Sequence, residues 1–526
     1  MLCNEKKEQP MGPLSAYTDP DCPFCNLISK SICLTWGAGW NSAKLCSTAG
    51  TLPELFMQSR SPLSIKENGR TTHPRPRLLL AVDQKPPRFQ QNGAVVREIN
   101  RVKNRFIIAE IESLPNDSIP PGTNEMPLLL RREVRSRINV PLVKRWLQDC
   151  KHHKHSRKAG SQKDNDLFQR ESGFRLIDVI NERLVQKTER CDYVALSYVW
   201  GNIPTLLATR ENDEEIPILL TVKENVKRLS YPNGLSPSQL AALESARIPR
   251  TVLDAMEFTR RIGMRHLWVD TLCIVQDDER DKSRLIRSMD DVYDNATVTI
   301  IAAAGSDADA GLRGMSPRKE WPIEPTKIAD TSDRTSLSLA ICLPSLSEEV
   351  RKSTWNTRGW TYQEQCLSQR CLYFTAEEVF FNCSEAQWRE GYALEDAKCG
   401  DSKVQVRTGP PWWTRNLRKD PDPTPYRYVG SMTSGLDILD YQTAVQDYSR
   451  KKLSFPQDVL NAFEGIFNRF NRSETAAELS ISQAQGIPAH LLFQAILWFP
   501  SDGSQKRSSS TPQPEESAGQ FSTWSW

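Results

Sequence analysis

The sequence has no long hydrophobic run and little excess charge. Its most apolar run, residues 298–304, is far shorter than the roughly 18 residues that a membrane-spanning helix needs. No apolar core of a signal peptide follows Met1 to Lys7. Lys and Arg number 68 against 65 Asp and Glu, a net charge of +3, which is not typical of a polycation that binds nucleic acid. These absences predict a cytoplasmic protein with no transmembrane segment and no nucleic-acid partner.

The motifs of several common enzyme classes are absent as well. The sequence contains no GxxxxGK[ST], no GxSxG and no HExxH. It therefore lacks a triphosphatase P-loop, a hydrolase nucleophile elbow and a zinc-protease helix. Gly37-Ala38-Gly39 is followed by Ser42 where a dinucleotide-binding loop has glycine, and no strand-helix context surrounds it.

Cysteine is present in moderate number, and two clusters that contain cysteine are candidates for metal binding. Thirteen cysteines without a secretory signal are typical of reduced thiols. Cys22 and Cys25 form a CxxC, but the next pair, Cys33 and Cys46, is too widely spaced for a second zinc knuckle. Cys150 lies close in sequence to three histidines, His152, His153 and His155. Free thiols are favoured over zinc at both places, so no metal site is predicted.

Composition divides the chain into four regions. Residues 1–165 contain Cys, Pro and turn-forming clusters, and predict an irregular N-terminal region with a polar linker at 156–166. Within it, residues 78–82 and 106–111 could be strands, and residues 142–150 predict an amphipathic helix. Residues 174–390 predict the main domain, and residues 391–500 a mainly helical region. The composition of residues 501–526 is typical of a disordered tail.

Strands and helices are predicted to alternate in the main domain. Apolar segments at 174–180, 193–198, 266–274 and 298–303 predict strands. A helix is predicted to begin with Thr251 as its cap and to end at Gly263. Asp277 to Glu279 favour the start of the next helix, because carboxylates are stabilised at the positive end of the helix dipole. This order predicts an α/β fold, a doubly wound and mostly parallel sheet with helices on both faces.

Tyr193 to Gly201 predicts a strand that ends in a turn, at the end where open α/β sheets bind ligands. Ser197 and Tyr198 offer hydroxyl groups there, and Trp200 offers a stacking surface. Gly201 is a point where the backbone can approach a ligand closely. The simpler interpretation is an ordinary strand end plugged by aromatic side chains, and the residue types alone favour that interpretation.

Asp270 interrupts the apolar run at 266–274, and Gln276 follows in the same polar cluster. A buried carboxylate must find hydrogen-bond donors or shift its pKa. Asp270 therefore either positions a ligand or bonds to the backbone of a neighbouring loop. Cys273 is typical of a small core residue. His266 is typical of a structural histidine, although it could act as a base for Ser197.

Four segments in fixed order resemble the signature blocks of the fungal heterokaryon-incompatibility (HET) domain. They are YVALSYVWG at 193–201, LWVDTLCIVQDD at 267–278, MDDVYDNA at 289–296 and RGWTYQE at 358–364. The match is strict from 193 to 365. The resemblance implies a protein that signals or executes programmed cell death in non-self recognition. Its expected partners are other proteins of an incompatibility pathway.

The HET family is similar to TIR domains, some of which cleave NAD. The resemblance implies a TIR/flavodoxin-like fold, self-association, no firmly expected cofactor and NAD as a substrate. Enzymatic TIR domains have a catalytic glutamate on a helix, four residues after a tryptophan. Trp360 and Glu364 have that spacing, which places them on one helix face. The segment between Ala303 and Trp360 is longer than a compact TIR domain would use.

The predicted site has one catalytic residue, Glu364. The predicted ligand-binding residues are Ser197, Tyr198, Trp200, Gly201, Asp270, Gln276 and Trp360. The alternative function is a non-enzymatic protein–protein signalling module, in which Glu364 is a surface acid or pairs with Arg358 or Arg370. A position of Glu364 beside Ser197, Tyr198, Trp200 and Asp270 favours the enzyme, and a position facing solvent or an arginine favours the module.

Overall fold

The structure is a computed structural model of the whole chain. The residues it describes are 8–36, 54–60, 65–67, 70–72, 77–82, 90–91, 94–95, 101–102, 105–113, 132, 134–153, 167–168, 174–205, 207, 216–243, 246–318, 326–329, 336–341, 343–383, 386–391, 438–471, 483–484 and 487–488. The predicted linker at 156–166, the predicted tail at 501–526 and Cys46 lie outside the described residues.

The strands are numbered in chain order. They are β1 (Glu8–Pro13), β2 (Glu54–Arg60), β3 (Ile65–Glu67), β4 (Arg70–Thr72), β5 (Arg77–Val82), β6 (Gln90–Gln91), β7 (Ala94–Val95), β8 (Arg101–Val102), β9 (Arg105–Ser113), β10 (Phe174–Asp178), β11 (Arg183–Lys187), β12 (Val194–Ser197), β13 (His266–Trp268), β14 (Val298–Ile301), β15 (Thr326–Ala329), β16 (Ser336–Ile341), β17 (Arg370–Phe374), β18 (Val379–Cys383), β19 (Gln387–Arg389), β20 (Gln483–Ala484) and β21 (Ile487–Pro488).

The α-helices are numbered in the same way. They are α1 (Pro23–Trp36), α2 (Val140–Asp149), α3 (Val226–Leu229), α4 (Pro237–Leu243), α5 (Arg250–Arg261), α6 (Asp270–Cys273), α7 (Glu279–Arg287), α8 (Met289–Asn295), α9 (Leu346–Lys352), α10 (Gly359–Leu367), α11 (Ile438–Ser449) and α12 (Asn461–Asn471). Short 3-10 turns occur at Leu14–Tyr17, Cys150–His152, Trp355–Thr357 and Pro456–Val459. Among the described helices, none has the length and apolar character that crossing a membrane would require.

The main sheet contains eight strands of the described chain, in the order β11-β10-β13-β12-β14-β17-β18-β19. The four central strands, β13, β12, β14 and β17, run parallel to one another. Antiparallel pairs extend the sheet at both edges. The predicted α/β class and the parallel centre are therefore present, and the antiparallel edges were not predicted. In chain order the parallel strands lie 2-1-3-4 across the sheet.

Helices and aromatic side chains cover both faces of this sheet, because successive residues of a strand point to opposite faces. From β17, Phe374 meets Phe258 of α5 edge to face, with ring centroids 5.0 Å apart. Its neighbour Tyr373 meets Trp355 on the other face at 6.3 Å. All four of these rings are buried. Burial on both faces explains why the strands appear in the sequence as nearly continuous apolar runs.

Two predicted element boundaries are wrong. The strand predicted at 266–274 ends at Trp268, and Asp270 begins the short helix α6. Thr251 does not cap α5, because Pro249 occupies that position and the Thr251 hydroxyl accepts a hydrogen bond from the Gly311 backbone instead (3.1 Å). The other end is as predicted: Gly263 follows the helix with a φ of +86°.

A second, antiparallel sheet lies in the N-terminal region that was expected to be irregular. Seven strands form it, with β1, β2, β5, β9, β16 and β15 in line and β8 beside β9. The expectation of irregular structure is wrong for these residues, although β5 and β9 contain the two predicted strands. The last two strands, β15 and β16, come from the long segment between β14 and α10. They pair with the N-terminal part through Leu339 and Ser113, which accounts for the length of that segment.

The helix that contains Glu364, α10, is enclosed by other elements. All of its residues except Trp360 are buried. On one side it packs against α12, where the rings of Tyr362 and Phe463 stack with centroids 6.3 Å apart. The Gln363 side chain accepts a hydrogen bond from the backbone of Gly465 (3.2 Å). This enclosure fixes the position of Glu364 relative to the sheet.

Candidate active site

The candidate site lies at the carboxyl edge of the parallel strands. Strand β12 lies between β13 and β14, so the chain turns to opposite sides of β12 as it forms the next two strands. In open α/β sheets, ligands bind at such a reversal of strand order. Ser197 is the last residue of β12, and Asp270 follows soon after the end of β13. Because the two strands are parallel neighbours, both residues lie at the same edge.

Glu364 points from α10 to the end of β12. Its Oε2 accepts a short hydrogen bond from the Ser197 hydroxyl, and the Ser197 oxygen accepts a bond from the Trp355 indole N–H (2.7 Å). Ser197 and Trp355 are 1% and 0% exposed, and Glu364 is 7% exposed. Two successive hydrogen bonds, from Trp355 to Ser197 and from Ser197 to Glu364, therefore hold a carboxyl group in a nearly dry position at the edge of the sheet.

The surroundings of Glu364 favour its neutral form. Burial raises the pKa of Glu364 from its ordinary 4.5 to about 7. The Ser197 hydrogen bond opposes this rise, the negative charge of Asp270 adds to it, and the positive charge of Arg358 opposes it. At neutral pH the side chain is therefore divided between its protonated and ionised forms, which suits a group that exchanges a proton or responds to a cationic ligand.

Asp270 is the second acid of the site. Its carboxylate accepts hydrogen bonds from the Trp200 indole (2.9 Å) and from the backbone N–H of Thr271 (2.7 Å). Burial raises the pKa of Asp270 to about 6, and these two hydrogen bonds oppose the rise. Tyr198 is joined to the same cluster, with its hydroxyl 3.1 Å from that of Thr271. The cluster thus contains two carboxyl groups with pKa values near neutrality.

Arg358 supplies the positive charge beside this cluster. It is half-buried, and its charge lowers the pKa of Glu364 and Asp270 and that of the Tyr198 hydroxyl. Within the described chain, its guanidinium makes no side-chain hydrogen bond or ion pair, so it remains able to bind an anion. Arg370, the other predicted partner of Glu364, instead donates a hydrogen bond to the sulfur of Cys150 (3.2 Å).

The remaining predicted ligand-binding residues have structural contacts. A Cβ at Gly201 would lie 2.5 Å from the Cβ of Asp307, so the close approach there is to a neighbouring loop. The Gln276 amide donates a hydrogen bond to the backbone oxygen of Asp270 (2.8 Å) and thereby supports the turn of α6. Trp360 is half-buried and packs against the main hydrophobic core. None of these contacts involves the carboxyl group of Glu364.

His266 lies at the other edge of the sheet from Ser197. It is the first residue of β13, whereas Ser197 is the last residue of the parallel strand β12. Burial lowers the pKa of His266. The structural interpretation of His266 therefore fits its position, and a role as base for Ser197 is excluded by the strand direction. Cys273 is fully buried with its thiol pKa raised to about 12 by burial, as a core thiol would be.

Three residues of the cluster were missed from the sequence. Trp355 and Thr271 bond to Ser197 and Tyr198, and the Tyr293 hydroxyl lies beside Glu364 and donates to the Leu196 backbone oxygen (3.3 Å). In the sequence, Tyr293 is part of an apolar helical stripe. For Trp355 and Tyr293 the available signal was the polar atom of the aromatic ring, because a buried indole or phenol needs a hydrogen-bond partner.

Fold and site together define a class: an α/β domain with a parallel-centred sheet and two acids at its carboxyl edge, Glu364 buried and Asp270 half-buried. Residues 193–364 match the family model described as Heterokaryon incompatibility protein (HET). The segment includes Ser197, Asp270, Arg358 and Glu364. All four signature blocks named above lie within it, and this finding supports the HET family for this part of the chain.

A similar protein is known from Neurospora crassa. It is named Heterokaryon incompatibility protein 6, OR allele, and is 31% identical over 214 residues. The match covers 36% of this chain and 29% of the Neurospora protein, so the chain spans less than a third of that relative. No solved structure matches the chain significantly.

Proposed function

We propose that this chain acts in heterokaryon incompatibility, in a response that ends in cell death, and that it cleaves NAD through Glu364. The HET match and the name of the Neurospora relative support the biological part. One observation supports the chemistry most strongly: Glu364 lies buried against Ser197 at the carboxyl edge of the parallel strands, with Asp270 and Arg358 close by. The strand order 2-1-3-4 also agrees with the flavodoxin-like order expected of a TIR-like fold.

In the proposed reaction, the bond between C1′ of the ribose and the nicotinamide nitrogen breaks. The bonding electron pair leaves with nicotinamide, which becomes neutral, and the ribose develops the positive charge of an oxocarbenium ion. The ionised carboxylate of Glu364 stabilises this charge. Water then forms the new C1′–O bond and releases a proton, giving ADP-ribose. The leaving group needs no acid, because it is already cationic in the substrate.

The neighbouring residues have separate roles in this proposal. Ser197 and Trp355 orient the carboxyl group of Glu364 through their hydrogen bonds. The cationic nicotinamide ring favours the ionised form of Glu364 on binding, since an opposite charge nearby lowers the pKa of an acid. Arg358 has no anionic partner within the described chain and suits the pyrophosphate of the dinucleotide. Trp200 and Trp360 are both partly exposed and offer surfaces for stacking.

The test is NAD consumption by the purified full-length chain and in yeast cells that express it. Glu364→Gln keeps the shape and a hydrogen bond to Ser197 but removes the negative charge. We expect it to lower NAD cleavage by about 100-fold or more, in the range typical of a lost charge-stabilising group. Cell death in yeast should be lost together with NAD cleavage.

A matched control is Glu377→Gln. Glu377 is half-buried, and burial raises its pKa to about 7, as for Glu364. Its charged neighbours are Glu349, Lys352, Glu378 and Arg318 rather than the residues of the site. This variant should cleave NAD at the wild-type rate. Cell death without NAD loss, or an unaffected Glu364→Gln variant, would overturn the enzymatic proposal and favour the protein–protein signalling module.

A further inference from the structure

A second cluster of reactive side chains lies away from Glu364, at the junction between α2 and the antiparallel edge of the main sheet. Cys150 and His153 follow the end of α2, and Cys383 ends β18. The Nδ1 of His153 lies 3.4 Å from the sulfur of Cys383, and the three ligand atoms all lie within 4.8 Å of one another. The chain therefore brings together two thiols and one imidazole from distant parts of the sequence.

The spacing of these atoms suits a tetrahedral zinc ion. Zn–S bonds of about 2.3 Å and Zn–N bonds of about 2.0 Å place neighbouring ligand atoms about 3.5 Å apart. The observed distance of 3.4 Å between sulfur and nitrogen agrees with that value. The widest separation in the cluster exceeds it by only about 1 Å, which a small rotation of one side chain removes.

The surroundings of both sulfurs resemble those of bound thiolates. The backbone N–H of Ala386 donates to the Cys383 sulfur (3.3 Å), and the guanidinium of Arg370 donates to the Cys150 sulfur (3.2 Å). Such outer hydrogen bonds stabilise negative charge on a metal-bound sulfur. The ring of Trp388 lies 5.4 Å from the His153 ring and limits its rotation. Two thiolates also offset the charge that a divalent ion would bring next to Arg370.

We propose that Cys150, His153 and Cys383 bind one Zn²⁺ ion, with water in the fourth position. Two thiolates with one imidazole favour zinc over magnesium or calcium, which prefer oxygen ligands. Cys150 is buried, whereas His153 and Cys383 are half-buried, so the fourth position can face solvent. The ion would join α2 to the edge of the main sheet. This inference is independent of the proposed NAD chemistry.

The experiment measures the metal content of the purified full-length chain by elemental mass spectrometry. We expect one zinc per wild-type chain and almost none in Cys383→Ser or His153→Gln. Replacement of zinc by Co²⁺ should give a sulfur-to-cobalt charge-transfer band in the near ultraviolet. Cys383→Ser should lose that band together with the metal, because only one thiolate and one imidazole remain to hold the ion.

Two control variants separate this cluster from other thiols. Cys191→Ser changes a half-buried cysteine of the same domain that does not belong to the cluster, and Cys22→Ser interrupts the CxxC. Both should keep the zinc and the full cobalt band. The proposal fails if the wild-type chain binds neither zinc nor cobalt, or if the control variants lose the metal as fully as the cluster variants do. It also fails if Cys150 and Cys383 are found joined in a disulfide.

Discussion

Glu364 lies in an environment very different from that of an ordinary, solvent-exposed carboxyl group. An isolated acid at 7% exposure would be costly, and here Ser197, Tyr293 and Arg358 compensate for part of that cost. The remaining imbalance appears as a pKa raised to about 7. A fully paired position would stabilise the folded chain more, so the raised pKa is a cost that the position of Glu364 imposes.

This pKa has a consequence for stability that can be measured. Between pH 4.5 and 7 the unfolded chain releases the proton of Glu364 while the folded chain retains it, so stability falls as pH rises through this window. The total loss is about 3 kcal/mol. We expect the melting temperature of the wild type to fall more between pH 5 and pH 8 than that of Glu364→Gln. If the melting temperatures of the two proteins fell by the same amount between pH 5 and pH 8, the raised pKa of Glu364 would be contradicted.

The sequence was sufficient to predict that Ser197, Tyr198, Trp200 and Asp270 lie together, because strand ends of a parallel sheet share one edge. It was not sufficient for the partners of these residues. Trp355 is separated from Ser197 by a large part of the domain, and which indole meets which hydroxyl depends on how α10 packs on the sheet. Gln276 was predicted to bind ligand, and its amide donates a hydrogen bond that supports the turn of α6. The sequence pattern around Gln276 is the same whether its side chain binds a ligand or supports a turn.

At the scale of elements, the turn after β12 depends on one glycine. Gly201 has a φ of +76°, and an added Cβ would lie 2.5 Å from that of Asp307. The turn therefore requires both a left-handed backbone and the absence of a side chain. This turn connects Ser197 and Trp200 to the loop after β14, so its shape sets the border of the candidate site.

Gly201→Ala should accordingly destabilise the protein by about 3 kcal/mol or more, from backbone strain and a steric clash together. Gly263→Ala is the matched comparison, because Gly263 also has a positive φ, +86°, but has no atom within 4 Å of an added Cβ. Gly263→Ala should cost about 1 kcal/mol of stability, from backbone strain alone. The urea unfolding midpoints of the two variants and the wild type measure both losses of stability. Equal losses would show that the contact with Asp307 yields at no cost.

Element boundaries were harder to predict than element types. The apolar run at 266–274 fits a strand by composition, yet the chain forms a helical turn from Asp270, whose carboxylate accepts from Thr271. Periodicity cannot distinguish a short buried strand from a strand followed by one helical turn. The N-terminal strands were underpredicted for a related reason, because partners far away in the chain complete that sheet.

At the scale of the whole molecule, one buried ion pair connects three parts of the chain. Arg318 and Glu390 are each 3% exposed at the side chain and lie 2.8 Å apart. Glu390 also accepts hydrogen bonds from the backbone of Asn139 (3.0 Å) and Val379 (2.8 Å). It thus links the start of α2, strand β18 and the loop after β14.

Glu390→Ala should destabilise the molecule by about 3–5 kcal/mol, because it removes the carboxylate that balances the buried Arg318 charge and accepts from two backbone N–H groups. Glu257→Ala removes an acid that pairs with Arg260 and Arg261 at the surface, where it is 39% exposed, and should cost less than about 1 kcal/mol. Thermal melting of the two variants compares them directly. A small effect of Glu390→Ala would mean that water enters and solvates Arg318.

The pairing of Ser113 with Leu339 sets the order in which the protein can mature on the ribosome. The first strands emerge early, but β15 and β16 follow only after three of the four parallel strands of the main sheet have been made. Until then residues 111–113 of β9 lack their β16 partner on that side, and open strand edges pair with other chains. A fragment that ends between β14 and β15 should therefore aggregate, and slow translation through that segment should expose the nascent chain to chaperones for longer.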